Sequence, residues 1–578
     1  MSEASIAARE FSAEHAQQLA GAGVHPVLAR IYAARGITDA AQLDTGLPGL
    51  LHFATLKNIQ PMAVRLANAI AARQRILVVA DYDADGATAC TVAVRGLRLL
   101  GATVDFLVPN RFEYGYGLTP EIVQLAARQQ PDIIVTVDNG IASIAGVQTA
   151  HALGIEVLIT DHHLPGDSLP EALIVNPNQP GCAFPSKHLA GVGVMFYVLL
   201  ALRAELQARD AFSHQAAPNL AVLLDIVALG TVADVVRLDT NNRILVEQGL
   251  RRMRQGRACA GIRALFNAAA RHIAAATAAD LGYMIGPRLN AAGRLEDMSL
   301  GIACLLSEDE TAAEVMAQRL HALNAERRNI EADMQAQAMA SLEHIATTES
   351  YSLAMFDPGW HQGVIGILAS RLKDKFHRPV ICFARGNDGE IKGSGRSIAA
   401  LHLRDALDIV SKRAPTLILK FGGHAAAAGL SIREADFPEF VSLFEQTVQA
   451  LLTPADLART IATDGGLATN ELTVALAQAI NAQVWGQGFP VPSFDGEFRV
   501  TQQRILKDKH LKLQLESHGL YFDSILFNRT DSLPAVIRAV YQPELNVYNG
   551  QTRLQIKLEH WRDGSMQSDV PGVQVNFC

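Results

Sequence analysis

The stretch "RILVVADYDADGAT", residues 75–88, joins a short apolar run to three closely spaced carboxylates. Residues 75–80 are apolar and β-branched, as in a buried strand, and helical spacing follows Gly86. Asp81, Asp83 and Asp85 therefore lie at a strand-to-helix turn. Three acids this close repel one another without a cation, so helix capping explains one of them and not all three. The stretch predicts an α/β fold with a cation at a strand end.

The same acids match the opening of an EF-hand calcium loop, which is a competing interpretation. An EF-hand requires a Glu at position 12 of the loop and a helix before it. Counting from Asp81, position 12 is Val92, and a strand precedes the loop. Both requirements fail, so the EF-hand interpretation is rejected.

The chain beyond this stretch alternates short apolar runs with helical patterns. Strands are predicted at 75–80, 103–108, 132–137 and 155–160. Strands that alternate with helices at this spacing indicate βαβ units and a parallel sheet.

The second half of the chain is predicted to be a different kind of structure. Residues 308–346 contain no Gly or Pro, and as one helix they would extend over roughly 58 Å at ~1.5 Å per residue. Such a helix is predicted to connect two domains. A second mixed region follows, with predicted strands "YSLAMF", "RPVICFA" and "TLILKF", and the last part alternates apolar and polar residues like a small β-barrel or sandwich.

The overall composition limits the classes of function. The 578 residues are 49% apolar and 19% charged, which is typical of a globular protein. The formal charge of -8 gives no global basic field, so a nucleic-acid site must be a local groove. The six cysteines form no CxxC pair, which argues against a zinc ribbon or a disulfide framework and favours reduced thiols in a cytoplasm.

Neither the N-terminus nor the apolar runs indicate a membrane. The first ten residues, "MSEASIAARE", lack the apolar segment of a secretory signal. The longest uncharged apolar run, "LAGVGVMFYVLLAL", is shorter than the ~20 residues that a membrane span needs. A buried helix is predicted there.

The predicted strand ends share a chemical character. Ligands of open parallel sheets bind at the carboxyl ends of the strands. Here the four ends carry residues that suit metals or phosphates: Asp81, Asp83 and Asp85; then Arg111; then Asp138 and Gly140; then Asp161, His162 and His163. Carboxylates with imidazole and no thiolate favour Mn²⁺ or Mg²⁺ over Zn²⁺. The number of acids suggests two divalent ions that share a carboxylate.

A further acid is expected from the apolar run "LLDIVALGTVADVVRLD". An Asp in such a run must be paired, capped or metal-bound. Asp234 is preferred as the ligand, because a loop after "LGTVA" could direct it to the sheet edge. Asp225 remains the alternative, as a helix residue with a local partner.

Together these residues resemble the DHH phosphoesterase superfamily. Its motifs are present as "DYDADG" (81–86), "VDNG" (137–140), "TDHH" (160–163) and "GTVADV" (230–235). The second half is similar to the DHHA1 domain, with "GSGRS" (393–397) and "FGGHAAAAG" (421–429). With "GPRLNAAGR" (286–294), the length and the β-rich C-terminus, the chain is most similar to the RecJ family of this superfamily.

The resemblance implies a domain order. It comprises an N-terminal helical segment (1–50), a parallel-sheet DHH domain with a helical extension (51–307), a connecting helix (308–346), a smaller mixed α/β DHHA1 domain (347–455) and an OB-fold-like β-barrel that binds nucleic acid (460–578). In that barrel, the residues expected to contact single-stranded DNA are Arg504, Lys507, Lys509, His510 and Lys512. Tyr521, Phe522 and Trp561 are candidates for base stacking, with at least half of them expected in the core.

The resemblance also implies the roles of the site residues. The metal ligands would be Asp83, Asp85, Asp138, His162 and Asp234. His163 would be a further catalytic residue that supports them, and Asp81 and Asp161 would orient the turn and the neighbouring ligands. The substrate phosphates would be held by Arg111, Arg294, Ser394, Arg396 and His424. For "GSGRS", the physical expectation is that flexible glycines let backbone N–H groups and the guanidinium of Arg396 approach a phosphate. One departure is Val79, where some members of the superfamily have a His ligand.

The implied activity is a metal-dependent 5′→3′ exonuclease that acts on single-stranded DNA in recombination and repair. Implied partners are a single-strand-binding protein and a RecQ-type helicase. The alternatives are an oligoribonuclease or cyclic dinucleotide phosphodiesterase of the same superfamily, a pyrophosphatase, and a non-catalytic single-strand-binding scaffold. The extra β-domain argues against the small-substrate enzymes, and the complete metal motifs argue against the scaffold.

Overall fold

The computed structural model describes residues 4–110, 114, 117–342, 350–387, 389–548 and 551–564. The chain forms two compact units. The larger unit comprises residues 44–453 and 484–489, and the barrel unit comprises residues 1–43, 454–483 and 490–578.

The strands are numbered in chain order. They are β1 Ser5–Ala8, β2 Arg75–Ala80, β3 Thr103–Leu107, β4 Ile133–Val137, β5 Glu156–Thr160, β6 Leu173–Val175, β7 Leu353–Phe356, β8 Val380–Arg385, β9 Glu390–Arg396, β10 Lys420–Gly423, β11 Ala427–Arg433, β12 Thr460–Thr463, β13 Phe494–Leu506, β14 His510–Ser517, β15 Leu520–Leu526, β16 Val536–Tyr548 and β17 Gln551–Asp563.

The described α-helices are Ala13–Gly21, Pro26–Ala34, Ile59–Ala71, Ala84–Leu99, Pro120–Ala127, Ile144–Ala152, Gly191–Ala208, Leu224–Ala233, Thr240–Arg254, Ala260–Ala268, Ala278–Asp280, Gly286–Leu295, Ser299–Leu306, Glu310–Leu342, Ile365–Phe376, Leu403–Arg413, Phe437–Leu451 and Val474–Asn481. A π-helical turn, Leu281–Ile285, precedes the helix Gly286–Leu295.

A parallel sheet forms the first part of the larger unit, in the order β3-β2-β4-β5-β6. The four predicted strands are confirmed, and β6 was missed because three residues carry too little pattern. Val79 packs in the apolar core beside Leu77 and Ile134. Its side chain therefore lies in the sheet core and offers no ligand.

The apolar run before Arg203 lies in the helix Gly191–Ala208. That helix has the length and composition of a membrane span, but 67% of it is buried inside the structure. The prediction of a buried helix is confirmed.

The helix Glu310–Leu342 leads to a second, smaller sheet. Its 33 residues lie within the predicted 308–346, and residues 343–346 are outside the described part of the chain. The sheet has the order β10-β11-β9-β8-β7, with β7 and β8 parallel and the other pairs antiparallel. The strand predicted from "TLILKF" begins only at Lys420, so most of that prediction is wrong.

The glycine-rich "GSGRS" is not a loop. Residues 393–396 lie in β9, which pairs with β8 on one side and β11 on the other. Their backbone groups therefore belong to the sheet, and the expectation that flexible glycines offer backbone N–H groups to a phosphate is wrong. The alternation of small residues masked the strand pattern, because glycine has low strand propensity.

The barrel unit contains a closed barrel of β13-β14-β15-β17-β16, in which β15 and β17 are parallel. The predicted OB-fold-like barrel is confirmed. The N-terminal segment, expected to be helical, also contains β1, which pairs in parallel with β12. Arg35, which is almost fully buried, donates to Asp464 at 2.6 Å, so the first 43 residues pack with the barrel in one unit.

Candidate metal centre

The first motif forms the turn between β2 and the helix Ala84–Leu99. Asp83 is the N-cap, and its carboxylate accepts from the backbone N–H of Asp85 at 2.9 Å and of Gly86 at 3.0 Å. Asp85 is buried, and its two oxygens accept from Gly191 N at 2.5 Å and Val192 N at 3.0 Å. The turn thus places two carboxylates at the ends of two helices, where backbone dipoles favour negative charge.

The second motif places Asp138 just after β4 in a left-handed conformation, with φ 62°. Asp tolerates this region better than most residues. The turn is held by Thr136, whose hydroxyl donates to Asn139 O at 2.7 Å, and by the Asn139 amide, which donates to Val137 O at 2.9 Å. These contacts fix the direction of the buried Asp138 side chain.

The third motif is organised around Asp161, which is 1% exposed. One carboxylate oxygen accepts from His162 N at 2.7 Å and lies 2.8 Å from His163 Nδ1, and the other accepts from Ile141 N at 2.9 Å. Asn178 donates to the carbonyl oxygen of His162 at 2.6 Å. Asp161 and Asn178 therefore hold the two histidines, as expected for Asp161 and unforeseen for Asn178.

The fourth motif separates the two acids that the sequence left open. Asp234 ends the helix Leu224–Ala233 as its C-cap, with Oδ2 3.5 Å from His162 Nε2. Asp225 is fully buried elsewhere, accepts from Cys259 N at 2.7 Å and lies 4.0 Å from Arg252. The geometry favours Asp234 for the cluster, at a helix end and not in the expected loop.

The motifs converge on His162. Its Nε2 lies 3.1 Å from Asp138 Oδ1 and 3.9 Å from Asp85 Oδ2. Three overlapping groups have ligand atoms within 4.8 Å of one another: Asp138, His162 and His163; Asp85, His162 and Asp234; and Asp81, Asp83 and Asp138. Asp138 and His162 are each shared by two groups, which is the arrangement that neighbouring ions require. Asp81, expected only to support the turn, lies within ligand range as well.

The electrostatics of the cluster favour a bound cation. Burial, followed in size by repulsion from the charge of Asp234, raises the pKa of Asp85 to about 8. Burial and then Asp83 raise the pKa of Asp234 to about 7. Burial and then Asp85 raise the pKa of Asp138 well above its usual range. Carboxyls that repel one another in this way are stabilised by a cation.

The histidines differ from each other. Burial and the neighbouring His163 lower the pKa of His162, which keeps the imidazole neutral and able to bind a metal. For His163, burial acts downward, but the hydrogen bond with Asp161 and its charge raise the pKa to about 9. The expected division into a ligand, His162, and a supporting residue, His163, stays a prediction, because both histidines belong to a candidate ligand group.

The donor set fits divalent cations. Nε2 of His162 and Oδ2 of Asp234 are buried, and among the residues that the structure describes neither has a hydrogen-bond partner. Buried polar atoms are normally satisfied, so these atoms point to a ligand. Carboxylates with one or two imidazoles suit Mn²⁺ and Mg²⁺.

The segment "GPRLNAAGR" packs against the turn of the first motif and hydrogen-bonds to it. The Asn290 side chain accepts from Ala84 N at 2.9 Å. A Cβ on Gly293 would lie 2.0 Å from the carbonyl oxygen of Tyr82, so only glycine allows this approach. The motif was recognised from the sequence but these roles were missed, although its small residues signal close packing.

The candidate phosphate ligands have mixed environments. Arg111 lies outside the described residues. Arg294 donates to Gly363 O at 3.0 Å and so holds the loop before the helix Ile365–Phe376. Arg396 donates to Ser394 Oγ at 3.3 Å and to Gly395 O at 2.8 Å, and burial lowers the pKa of its guanidinium.

Ser394 and Arg396 lie beneath the first turn of the helix Ile365–Phe376. A Cβ on Gly366 would be 2.8 Å from Ser394 Oγ and 3.1 Å from Arg396 Nη2. His424 is exposed in the turn between β10 and β11. Partial burial of its imidazole, and then the charge of His163, lower the pKa of His424.

The barrel candidates are distributed as a small barrel requires. Tyr521 is 64% exposed, Phe522 is buried and Trp561 is half-buried. Arg504, Lys507 and Lys509 are exposed at the β13–β14 hairpin, and His510 and Lys512 are partly buried. Loops and strands in this part of an OB-fold bind oligonucleotides in other proteins.

Models of known protein families match three parts of this chain. The chain matches the DHH family, N-terminal domain, over residues 75–231, the DHHA1 domain over 348–450 and the RecJ OB domain over 463–560. The single-stranded-DNA-specific exonuclease RecJ of Dickeya dadantii is 50% identical over 92% of this chain and 95% of its own length. The protein of that name in Escherichia coli is 49% identical over 93% and 95%.

A solved structure shares the fold. The crystal structure of RecJ in complex with Mn²⁺ from Thermus thermophilus has a TM-score of 0.83 and 29% identity, over 98% of this chain and 80% of that one. The same fold is therefore present in a solved RecJ structure. With relatives about 50% identical over most of its length, the chain belongs to the RecJ family.

Proposed function

We propose that the chain is a metal-dependent exonuclease that degrades single-stranded DNA in the 5′→3′ direction and releases 5′-mononucleotides. The observation that carries the proposal is the convergence of three acids, Asp85, Asp138 and Asp234, on His162 at the carboxyl edge of the parallel sheet. The names of the relatives and the RecJ OB domain support single-stranded DNA as the substrate.

The metal ions would be held by Asp83, Asp85, Asp138, His162 and Asp234. Two bound Mn²⁺ or Mg²⁺ ions would supply an activated water and stabilise the leaving oxygen of a phosphodiester. Asp161 keeps His162 and His163 in place through its hydrogen bonds. Asp81 is the further acid that the geometry adds to this set.

The DNA phosphates would be held by the second domain. Arg396 and Ser394 lie under the N-terminal turn of the helix Ile365–Phe376, whose N-cap Val364 has no side-chain cap. Backbone N–H groups of a helix N-terminus and a guanidinium together favour a phosphate. His424 would stabilise charge near the metal cluster, and Arg294 would act beside the loop that it holds. Arg111 is the further phosphate-binding residue that the resemblance implies.

The exposed cations of the β13–β14 hairpin would bind single-stranded DNA. Partners of the same pathway would be a single-strand-binding protein and a RecQ-type helicase, in recombination and repair in the cytoplasm. These assignments rest on the resemblance to the RecJ family and on the local basic surface of the barrel.

The test is a nuclease assay with Mn²⁺ or Mg²⁺ on single-stranded and duplex DNA with one end blocked at a time. We expect 5′-mononucleotides from single strands with a free 5′ end, and no product when that end is blocked. Dinucleotides are included as substrates to separate the small-substrate alternative. Equal degradation from both ends, or of duplex DNA, would contradict the proposal.

A further inference from the structure

The segment Val484–Phe489, "VWGQGF", belongs to the larger unit, although the residues before and after it belong to the barrel unit. Trp485 and Phe489 are 7% and 5% exposed, and their rings stack with centroids 5.2 Å apart. A β-bridge joins Gly486 to Phe489 and closes the segment into a tight turn. We call Val484–Phe489 the anchor.

The anchor contacts one stretch of the larger unit, residues 237–243. The carbonyl oxygen of Gln487 accepts from Leu238 N at 2.8 Å. The guanidinium of Arg243 lies 4.2 Å from the ring centroid of Phe489, a cation–π geometry at a nearly buried arginine.

One position of the anchor admits only glycine. Gly488 has φ +69°, and a Cβ there would lie 2.4 Å from Cγ of Arg237. The anchor backbone therefore lies directly against the side chain of Arg237. A contact this close transmits a displacement of either segment to the other, because packed groups do not deform freely.

The stretch that the anchor contacts begins immediately after the candidate ligand Asp234. Val235 has φ 63°. A β-branched residue in this region is a genuine outlier, and such strain persists only where the surroundings enforce it. Val235 lies in the turn between the helices Leu224–Ala233 and Thr240–Arg254, so the contacts of this turn are the ones that can enforce its conformation.

The turn is also held by side chains of the larger unit. Asn242 donates to Arg237 O at 2.9 Å, and Ser186 donates to Asp239 at 2.6 Å. The Leu238 N–H donates to the anchor, at the carbonyl oxygen of Gln487. The anchor therefore completes the set of contacts around the strained turn.

We propose that the anchor is a positioning element of the metal centre. By holding residues 237–243, it keeps Val235 left-handed and Asp234 directed at His162. This inference rests on the proposed function, because it requires Asp234 to be a metal ligand.

The experiment compares two matched substitutions in the full chain, Phe489→Leu and Phe440→Leu. Both shorten a buried aromatic side chain, but Phe440 packs against Phe383 and Phe444 in the second domain. The readout is the Kd for Mn²⁺ without DNA, measured from the electron paramagnetic resonance signal of free Mn²⁺. We expect Phe489→Leu to raise the Mn²⁺ Kd about tenfold, the lower end of the effect of residues that orient metal ligands. Phe440→Leu should lower Tm and leave the Kd unchanged.

A second variant tests the role of Val235. Asn adopts the left-handed region more readily than valine, so Val235→Asn in the Phe489→Leu background should restore most of the Mn²⁺ affinity. Without that recovery, the anchor does not act through the conformation of Val235.

The outcomes separate the anchor from the proposed function. An unchanged Kd in Phe489→Leu, or an equal rise in Phe440→Leu, overturns the positioning role alone when Asp234→Asn loses Mn²⁺ affinity. If Asp234→Asn also binds Mn²⁺ normally, then both the ligand assignment and the anchor proposal are wrong.

Discussion

His162 Nε2 lies 3.1 Å from Oδ1 of Asp138, although the two residues follow different strands, β5 and β4. Parallel neighbours bring their carboxyl ends to one edge of the sheet, which is why the two side chains meet. The contact links the three candidate ligand groups, because Asp138 and His162 each belong to two of them.

Asp138→Ala should abolish the nuclease activity. The substitution removes the carboxylate shared by two ligand groups, so we expect a loss of more than about 100-fold, above the 10- to 100-fold range of supporting residues. The measurement is release of 5′-mononucleotides from single-stranded DNA with Mn²⁺. Asp105→Ala, an exposed acid on β3, is the control and should retain activity. Undiminished activity of Asp138→Ala would contradict the ligand assignment.

Asp234→Asn and Asp225→Asn should affect different properties: the first should weaken Mn²⁺ binding, and the second should lower stability. Asp234 lies beside His162, so its loss should weaken Mn²⁺ binding with little change in stability. Asp225 caps Cys259 N and faces Arg252, so its loss should lower the free energy of unfolding by about 1–3 kcal/mol and leave Mn²⁺ binding intact. Calorimetric titration and denaturant unfolding measure the two quantities. The reverse pattern would make Asp225 the ligand.

The stability of the metal-free protein should fall as the pH rises from about 4 to about 8. The pKa values of Asp85 and Asp234 are raised to about 8 and about 7, so the folded state binds more protons in this window than the unfolded state. Stability decreases with pH wherever the folded state holds the extra protons. Thermal unfolding in a chelator should therefore give a higher Tm at pH 6 than at pH 8.

Metal binding should show the opposite pH dependence. Mn²⁺ must displace the protons of these carboxyls, so its affinity should increase from pH 6 to pH 8. The increase in Tm on adding Mn²⁺ should be largest at pH 8. An Asp85→Asn variant should lose part of the pH dependence in both measurements, and an unchanged dependence would show that other groups titrate.

Gly293→Ala should reduce both stability and activity. The new Cβ would collide with the carbonyl oxygen of Tyr82 and displace the turn that carries Asp83 and Asp85. Overpacking of this kind costs about 1–3 kcal/mol. Gly21→Ala is the control, because a Cβ there meets nothing within 4 Å. A Gly293→Ala variant with normal kcat would show that the first motif does not depend on this contact.

The triple variant Arg504→Ala, Lys507→Ala and Lys509→Ala should weaken single-strand binding. Each phosphate contact contributes about 0.7 to the slope of log affinity against log salt for single strands, so the slope should decrease by about 2. Fluorescence anisotropy at several salt concentrations measures it. The control removes three exposed cations of the second domain, Lys375, Lys412 and Arg433. Equal slopes for the two variants would exclude the barrel hairpin as the site of contact.

The sequence alone determined the parallel sheet and most of the metal cluster. Apolar runs with β-branched residues identify buried strands, and the order of strands and helices fixes which strand ends share an edge. Asp85, Asp138 and His162 could therefore be placed together from their positions in the chain. The barrel was also predictable, because its alternation of apolar and polar residues persists along long strands.

Only the tertiary structure decided contacts between segments far apart in the chain. The choice of Asp234 over Asp225, the hydrogen bond from Ala84 to Asn290 and the anchor at Gln487 depend on packing, and local sequence carries no signal of a partner about 200 residues away. The strand "GSGRS" was misread for a related reason. Its glycines have low strand propensity, and the neighbouring strands β8 and β11 impose the extended conformation.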